Sequence, residues 1–125
     1  MINVKYYAGL FDADGSFDFR ANKRDNGKYY LDVKAVLYQK DVRPVIPLAR
    51  RFNVPIREGK GCSYVTLQGN KALNLMELVK NHLVVKKQVV DYLISIKGKT
   101  VEDIETVRDT VKLKRKESAP EKNYP

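Results

Sequence analysis

The chain has 125 residues, enough for one domain that buries a core and too few for a second. Its 24 Lys and Arg against 15 Asp and Glu give a formal net charge of +9, which favours a polyanionic partner such as nucleic acid. One Cys and one His exclude sites built from several soft ligands, and no apolar run approaches the roughly 18 residues of a membrane span.

The first predicted elements are a short helix and a β-hairpin. The helix is predicted over residues 3–13, with Asn3 as its N-cap and Gly15 ending it at a sharp turn. From Ser16 apolar and polar residues alternate, and the Asn-Gly pair in "DNGK", residues 25–28, joins two such strands. The residues predicted to face outward are Asp18, Arg20, Asn22 and Arg24 on the first strand and Tyr30, Asp32, Lys34, Val36 and Tyr38 on the second.

The next elements repeat this order with a second helix and a second hairpin. Asp41 is predicted to cap a helix that ends near Phe52, and strands at 54–58 and 62–68 are joined by "EGKG". The polar residues predicted to face outward from this hairpin are Arg57, Lys60, Tyr64, Thr66 and Gln68. The remaining helices are predicted at 70–81 and 86–97, and a last one follows the break at "GKTVED", residues 98–103, and runs to about Lys116.

This order predicts an α+β domain over residues 1–116, in which helices cover one face of a four-stranded antiparallel sheet. Residues 117–125 are predicted to be a flexible tail. The open face is basic and carries the side-chain types that read base edges in the major groove, although an ordinary solvated face is the alternative. Lys112 and Lys114, in the basic run "KLKRK", are expected to contact flanking phosphates.

The stretch "YYAGLFDADGSF" places two acids, Asp12 and Asp14, in a strongly basic chain. A calcium loop of the EF-hand type is excluded, because it needs glutamate at its twelfth position, where counting from Asp12 gives Lys23. Phosphatases of the haloacid dehalogenase type share Asp-x-Asp-Gly, but their nucleophile ends a parallel strand of a larger α/β core. A histidine-dependent nuclease would rely on His82 alone, which has no acidic neighbour in sequence.

The segment "YAGLFDADG" resembles the LAGLIDADG signature of homing endonucleases at seven of nine positions, with Tyr7 and Phe11 replacing Leu and Ile. The order of elements is also similar, "YQKD" at 38–41 resembles the family's glutamine-containing segment, and "LVVKKQ" at 83–88 resembles its lysine-containing segment. The resemblance covers about residues 3–116. It implies an αββαββα core whose sheet forms a DNA-binding saddle, followed by C-terminal helices.

The resemblance also implies which residues carry the chemistry. Asp14 would be a metal ligand, assisted by the Ala13 carbonyl, for Mg²⁺ or Mn²⁺. Two carboxylates close to phosphate are unfavourable without such a cation. Gln39 would position water or the metal. Lys86 would stabilise developing charge or assist proton transfer, with the adjacent Lys87 as the alternative.

The same helix is predicted to form a homodimer. Gly9 and Ala13 are four residues apart, so a second helix can approach closely along one stripe. The motif occurs once, and single-motif members of the family act as homodimers on pseudo-palindromic sites. Asp12 is expected to cap or hydrogen-bond at the end of this helix. The predicted interface comprises Tyr7, Ala8, Gly9, Asp12 and Ala13.

The function implied is that of a site-specific endonuclease for intron homing. It would break both strands of a long pseudo-palindromic DNA site by metal-dependent phosphodiester hydrolysis. The alternatives are a maturase that binds intron RNA and a DNA-binding protein that no longer cleaves. The single Cys62 favours a reducing interior, so we expect the compartment that holds the target DNA: bacterial cytoplasm, chloroplast or mitochondrion. No membrane partner is expected.

Overall fold

The computed structural model describes residues 2–118 and confirms an α+β fold with an antiparallel sheet. The elements in chain order are α1 Val4–Asp14, β1 Gly15–Lys23, β2 Tyr29–Gln39, α2 Val45–Phe52, β3 Arg57–Gly59, β4 Cys62–Gln68, α3 Asn70–Val79, a 3₁₀ turn Lys80–His82, α4 Lys87–Ile96, β5 Thr100–Val101 and α5 Glu105–Ser118. None of the helices within residues 2–118 is long and apolar enough to cross a bilayer.

The sheet has the strand order β1-β2-β4-β3, and a short strand that was not predicted, β5, completes it. β4 pairs only with residues 34–39 of β2, which leaves the other end of that β2 edge open. Residues 98–101 occupy this end: the amide of Leu31 donates to Lys99 O, and the amide of Gly98 donates to Leu31 O. The extra strand therefore satisfies backbone groups that a four-stranded sheet would leave unpaired.

The inward alternation of β2 is confirmed. Leu31, Val33, Ala35 and Leu37 have no exposed surface, and they pack with residues of the helices that cover this face. Burying one Val or Leu side chain stabilises a fold by about 1.5–3 kcal/mol. A shift of one residue would move this whole set to the open face, so the core fixes the register of the strand.

Helix α1 begins as predicted: the Asn3 side chain accepts from the Tyr6 amide at 3.0 Å. Its inner face carries Tyr7, Ala8 and Phe11, all buried. The Phe11 ring stacks on Phe17 of β1 with centroids 5.0 Å apart. The buried face thus holds the helix against the first strand that follows it.

Two predicted boundaries, the start of α2 and the end of α5, differ from the structure. Asp41 does not cap α2; its carboxylate accepts from the backbone amide and guanidinium of Arg43, and the helix starts at Val45 after Pro44. Local pairing with Arg43 has replaced the cap. At the other end of the chain α5 continues through Ser118, so the predicted tail does not start at 117, and residues 119–125 lie outside the described residues.

The first strand of the second hairpin is also shorter than predicted. β3 spans only Arg57–Gly59 instead of 54–58. Pro55 has no amide hydrogen for the ladder, and the Val54 amide donates to Ala49 O at the end of α2.

Gly15 joins α1 to β1 without a loop, and the reason for glycine is space. Its backbone is extended, with φ −94° and ψ 170°, so the expected sharp turn is absent. A Cβ placed at Gly15 would lie 2.4 Å from Cδ1 and 2.8 Å from Cα of Phe11. Because Phe11 is fully buried and its Cα belongs to the helix, it has little room to move.

We therefore predict that Gly15→Ala lowers the free energy of unfolding by about 1–3 kcal/mol, the usual cost of overpacking. Gly59→Ala is the matched control, because its new Cβ would meet only Tyr64 Cε1 at an ordinary 3.7 Å. We expect the control to change stability by less than about 0.5 kcal/mol. Urea unfolding followed by circular dichroism measures the stability of both variants. If the two variants were equally stable, Phe11 would be able to move away from the new Cβ at no cost, and the prediction would be wrong.

Candidate active site and outward sheet face

The first candidate site lies where α1 and β2 both end. The pairing of Gly15 with Leu37 brings these two ends together. The Nε2 of Gln39 donates to Oδ2 of Asp14 at 2.8 Å and to the Tyr38 carbonyl at 2.9 Å. Two residues that are 25 positions apart in sequence, and that the resemblance assigned to the same site, are thus in direct contact.

The donor atoms around Asp14 suit a hard divalent cation. Among the described residues, only Gln39 donates to the Asp14 carboxylate, and both Asp14 and Ala13 are exposed. The last carbonyls of a helix have no partner four residues on, so the Ala13 carbonyl is available as a second oxygen ligand. Carboxylate and carbonyl oxygens are the ligands that Mg²⁺ and Mn²⁺ prefer.

A shallow depression surrounds this carboxylate. Its lining residues are Asp14, Tyr38, Gln39, Lys40, Asp41 and Cys62. The second acid of the depression is already paired: hydrogen bonds from the Arg43 side chain, followed by its backbone amide, lower the pKa of Asp41 to about 2. Within residues 2–118 there is no cluster of three or more His, Cys, Asp or Glu that could hold a metal ion.

Asp12 has a structural role, which confirms its predicted hydrogen bonding at the helix end. Its two carboxylate oxygens accept from the backbone amides of Val84 at 2.7 Å and Lys86 at 3.0 Å. In return, Lys86 Nζ donates to the carbonyls of Phe11, at 2.8 Å, and Gly15. These four bonds fix residues 84–86 against the end of α1.

Lys86, and not Lys87, belongs to this site. Burial lowers the pKa of the Lys86 ammonium, the carboxylates of Asp12 and Asp14 act in the opposite direction, and Arg115 adds to the lowering. The Lys87 ammonium instead pairs with Asp91 at 3.2 Å on an exposed part of α4. This geometry favours Lys86 over the alternative Lys87, because the Lys87 side chain is directed to a different partner.

Two of the predicted interface residues are wrong as well. Tyr7 is 3% exposed and Ala8 is fully buried, and the Tyr7 hydroxyl donates to Pro44 O at 2.6 Å. Burial raises the pKa of Tyr7, and Tyr6 adds to this effect. Asp12 is engaged with residues of its own chain. The exposed face of α1 carries Gly9 and Ala13 as predicted, together with Tyr6 and the half-buried Leu10.

The second candidate site is the outward face of the sheet. The predicted polar and aromatic residues that lie there, with exposed or half-exposed side chains, are Arg20, Asn22, Arg24, Tyr30, Lys34, Tyr38, Tyr64, Thr66 and Gln68. Arg20 Nη1 donates to Gln68 Oε1 at 3.0 Å. The Arg24 guanidinium lies 4.6 Å from the centre of the Tyr30 ring. Exposed predicted residues outside these strands or near their ends are Arg57, Lys60 and Lys112, and Lys114 is half-exposed.

Three residues predicted to contact DNA are less available than expected, because their side chains form ion pairs within the chain or are buried. Asp32 pairs with Lys97 at 3.4 Å, and these two side chains are only 17% and 13% exposed. Val36 lies between Ser16 and Thr66 and is 8% exposed.

The third is Asp18, whose carboxylate lies 3.5 Å from Arg115. Sequence reasoning missed Arg115 itself, which also donates to Phe17 O at 2.7 Å and so covers the open edge of β1. Arg115 lies within the basic run 112–116. From the sequence of this run alone, one cannot tell which of its basic residues face solvent and which one binds a strand.

Comparison with known proteins supports this fold. No family model and no curated protein matches the chain. Among solved structures, the homing endonuclease I-TnaI aligns with a TM-score of 0.62 at 17% identity over 98% of this chain and 89% of that chain. The archaeal intron-encoded I-Vdi141I, complexed with DNA, gives 0.61 at 17% over 97% and 86%. I-CvuI, with DNA and Mg, gives 0.57 at 17% over 98% and 85%.

A LAGLIDADG meganuclease, I-AabMI bound to uncleaved DNA, aligns with a TM-score of 0.58 at 16% identity over 75% of this chain and 35% of that longer chain. At these identities the likeness concerns the fold. The chain thus has the fold of the LAGLIDADG homing endonucleases, as the sequence motif implied.

The roles of the two acids can be separated by stability. Asp12→Ala leaves the amides of Val84 and Lys86 without their acceptor, and we expect it to cost about 1–3 kcal/mol of unfolding free energy. Asp14→Ala is the matched control, because it removes only an exposed contact with Gln39, and we expect less than about 0.5 kcal/mol. Urea unfolding and amide hydrogen exchange at Val84 and Lys86 measure the difference; an equal loss in both variants would contradict the structural role of Asp12.

Proposed function

We propose that the chain is a site-specific DNA endonuclease of the LAGLIDADG type, which breaks both strands of a long pseudo-palindromic site. The observation that carries the proposal is the contact between Gln39 and Asp14 at the end of α1, beside the half-buried Lys86. Structures of the same fold include I-Vdi141I with DNA and I-CvuI with DNA in the presence of Mg or Ca. They support DNA as substrate and a divalent cation as cofactor.

Asp14 and the Ala13 carbonyl would hold Mg²⁺ or Mn²⁺. When bound, the cation would neutralise charge on the scissile phosphate and activate water for hydrolysis. One carboxylate and one carbonyl fill only part of an octahedral coordination sphere, so water, phosphate and a second copy of Asp14 would supply the rest.

The protein groups around Asp14 have separate tasks in this proposal. The Gln39 amide fixes the orientation of the carboxylate, and its carbonyl oxygen can orient an attacking water. The Lys86 ammonium, held by two helix-end carbonyls, provides a fixed positive charge near the phosphate and stabilises charge that develops on it. Its lowered pKa also makes it a better proton donor to the departing oxygen.

The exposed face of α1 would pair with the same face of a second copy. A Cβ placed at Gly9 would meet no other part of its own chain within 4 Å, so a neighbouring backbone can approach there. Tyr6, 48% exposed, and Leu10 add apolar surface on either side. Pairing two α1 helices would bring both Asp14 carboxylates to one place, and each subunit would contribute one sheet to the DNA.

The outward sheet face would lie in the major groove, with its Arg and Lys contributing a binding free energy that falls steeply as salt concentration rises. The same basic face could instead serve RNA in a maturase, or DNA without cleavage. Nicking assays with Mg²⁺ or Mn²⁺ distinguish these cases. Binding to DNA without cleavage identifies a binding protein, and preferential binding of structured intron RNA identifies a maturase.

We expect Asp14→Asn to lower cleavage by several orders of magnitude while DNA affinity stays equal or rises. The substitution removes a metal ligand and relieves repulsion between the carboxylate and the phosphates. A duplex selected from a randomised library provides the substrate for both measurements. Lys87→Ala is the control and should cleave normally, since Lys87 pairs with Asp91 outside the site. Cleavage by Asp14→Asn within tenfold of wild type would disprove the metal-ligand assignment.

The dimer proposal predicts that Gly9→Leu yields a folded monomer. The new side chain fits the isolated chain, because nothing occupies the space near Gly9, but it blocks close approach of a second helix. Thr106→Leu adds the same side chain at an exposed position of α5 and should remain dimeric. Sedimentation velocity at micromolar concentration tests this, with circular dichroism as the check on folding. A wild-type protein that is monomeric with and without DNA would contradict the proposal.

A further inference from the structure

The outward face of the sheet is divided into two halves of different chemistry. In the half nearest Asp14, the strand register places Ser16, Val36 and Thr66 side by side, and Tyr38 opposite Tyr64. None of these five residues is charged. We call them the inner patch.

The half farther from Asp14 is charged. The next rows across β1, β2 and β4 are Asp18 with Lys34 and Gln68, Arg20 with Asp32, and Asn22 with Tyr30. The acids of these rows are paired with Lys97 and Arg115. Among the residues of β1, β2 and β4, the free Arg and Lys donors of the kind that bind guanine therefore belong to this half, which we call the outer rows. Beside the inner patch, Arg57 of the edge strand β3 pairs with Tyr64 and lies on the side away from Tyr38.

The inner patch lies directly beside the proposed cleavage site. Tyr38 precedes Gln39, whose amide binds both the Tyr38 carbonyl and the Asp14 carboxylate. The Tyr38 side chain also lines the same depression as Asp14. If the α1 helices meet at the dimer axis, these residues face the base pairs nearest the centre of the DNA site.

The inner patch has a fixed, largely apolar surface. The rings of Tyr38 and Tyr64 contact each other with centroids 5.1 Å apart and an interplanar angle of 32°. Tyr38 remains 45% exposed, so one side of this pair is open. Thr66, half-exposed, and the edge of Val36 continue the surface in the next row. Such a pair is already ordered before binding, which reduces the entropy lost when a ligand covers it.

The chemistry of the major groove decides what this surface can recognise. Among the four bases, only thymine presents an apolar group there, its 5-methyl. A guanine placed over Val36 and Tyr38, on the β2 side of the patch and two strands from Arg57, would lack a bidentate Arg or Lys partner, and its polar edge would lose water without full compensation. A thymine methyl group placed against the two tyrosine rings loses only unfavourable contact with water.

We propose that the inner patch makes the protein select thymine, by its 5-methyl group, at the base pairs nearest the centre of its DNA site. The proposal rests on the proposed function, because it assumes that the sheet binds duplex DNA. It assigns Tyr38 and Tyr64 a role in sequence specificity that is separate from the cleavage carried by Asp14.

The test begins with a site selected from a randomised duplex library by the full-length Asp14→Asn chain, which binds without cutting in the proposed function. Inner positions are those nearest the symmetry centre of the selected site. We expect thymine to be enriched there. Replacing those thymines by deoxyuridine removes only the methyl groups, and affinity should fall about fourfold per methyl, as for one buried methylene. Deoxyuridine facing the outer rows should change affinity by less than about twofold.

Variants identify the residues responsible. Tyr38→Ala, made in the Asp14→Asn background, should bind thymine and deoxyuridine duplexes equally. Tyr30→Ala is the matched control: it removes a ring from the same strand in the outer rows, and it should keep the full dependence on inner methyl groups. Circular dichroism confirms that both variants are folded.

The outcomes separate this inference from the proposed function. An enriched site whose inner positions bind thymine and deoxyuridine equally would overturn the inference and leave the endonuclease proposal intact. Inner positions enriched in guanine or cytosine would do the same. A library that yields no enriched sequence would overturn site-specific recognition altogether, and this inference with it.

Discussion

The connection between the end of α1 and residues 84–86 is the constraint on which the candidate site depends. Asp12 accepts two backbone hydrogen bonds from this segment, and Lys86 returns two to the helix carbonyls of Phe11 and Gly15. Without this exchange, the partly buried amide and ammonium groups of Lys86 would lose their protein partners. As a result, the helix that presents Asp14 and the segment that presents Lys86 have one relative position.

The same connection links the proposed dimer to the proposed chemistry. One face of α1 is exposed at Gly9 and Ala13, while its end holds Lys86 and presents Asp14. A second copy that docks on the exposed face therefore sets the spacing of two carboxylates without contacting them directly. The missing Cβ at Gly15 has a related effect, because it lets β1 start immediately against Phe11 and brings the sheet close to the helix end.

The hydrogen bonds and ion pairs of the acids near the candidate site explain how one carboxylate, that of Asp14, stays available in a basic chain. Asp12 is committed to backbone amides, and Asp14 is contacted by the uncharged amide of Gln39. Three other acids are paired with cations of the same chain, which reduces their repulsion of phosphates. These pairs are Asp18 with Arg115, Asp32 with Lys97, and Asp41 with Arg43. Asp14 is thus the acid of this group best placed to bind a cation.

The sequence by itself determined the main elements, because their signals are local. Period-two alternation defined the inner residues of β2 and therefore its register, and Asn3 defined the start of α1. Asp14 and Gln39 followed from the motif resemblance, whose residues sit at element ends. Only the tertiary structure shows that the Lys86 side chain lies at the end of α1 and the Lys87 side chain does not, because two adjacent residues point in different directions but have the same local sequence preference.

Tertiary structure also decided which apolar face of α1 is core. Tyr7 and Ala8 are as apolar in sequence as Tyr6 and Leu10, and only the position of the sheet and α2 buries the first pair. β5 has only two residues, too few to show a periodic pattern in the sequence. It forms because β4 leaves part of one edge of β2 unpaired. The partners of Asp18 and Asp32, which are Arg115 and Lys97, come from far along the chain. Local patterns determine which elements form, and long-range packing determines which side chains remain free to act.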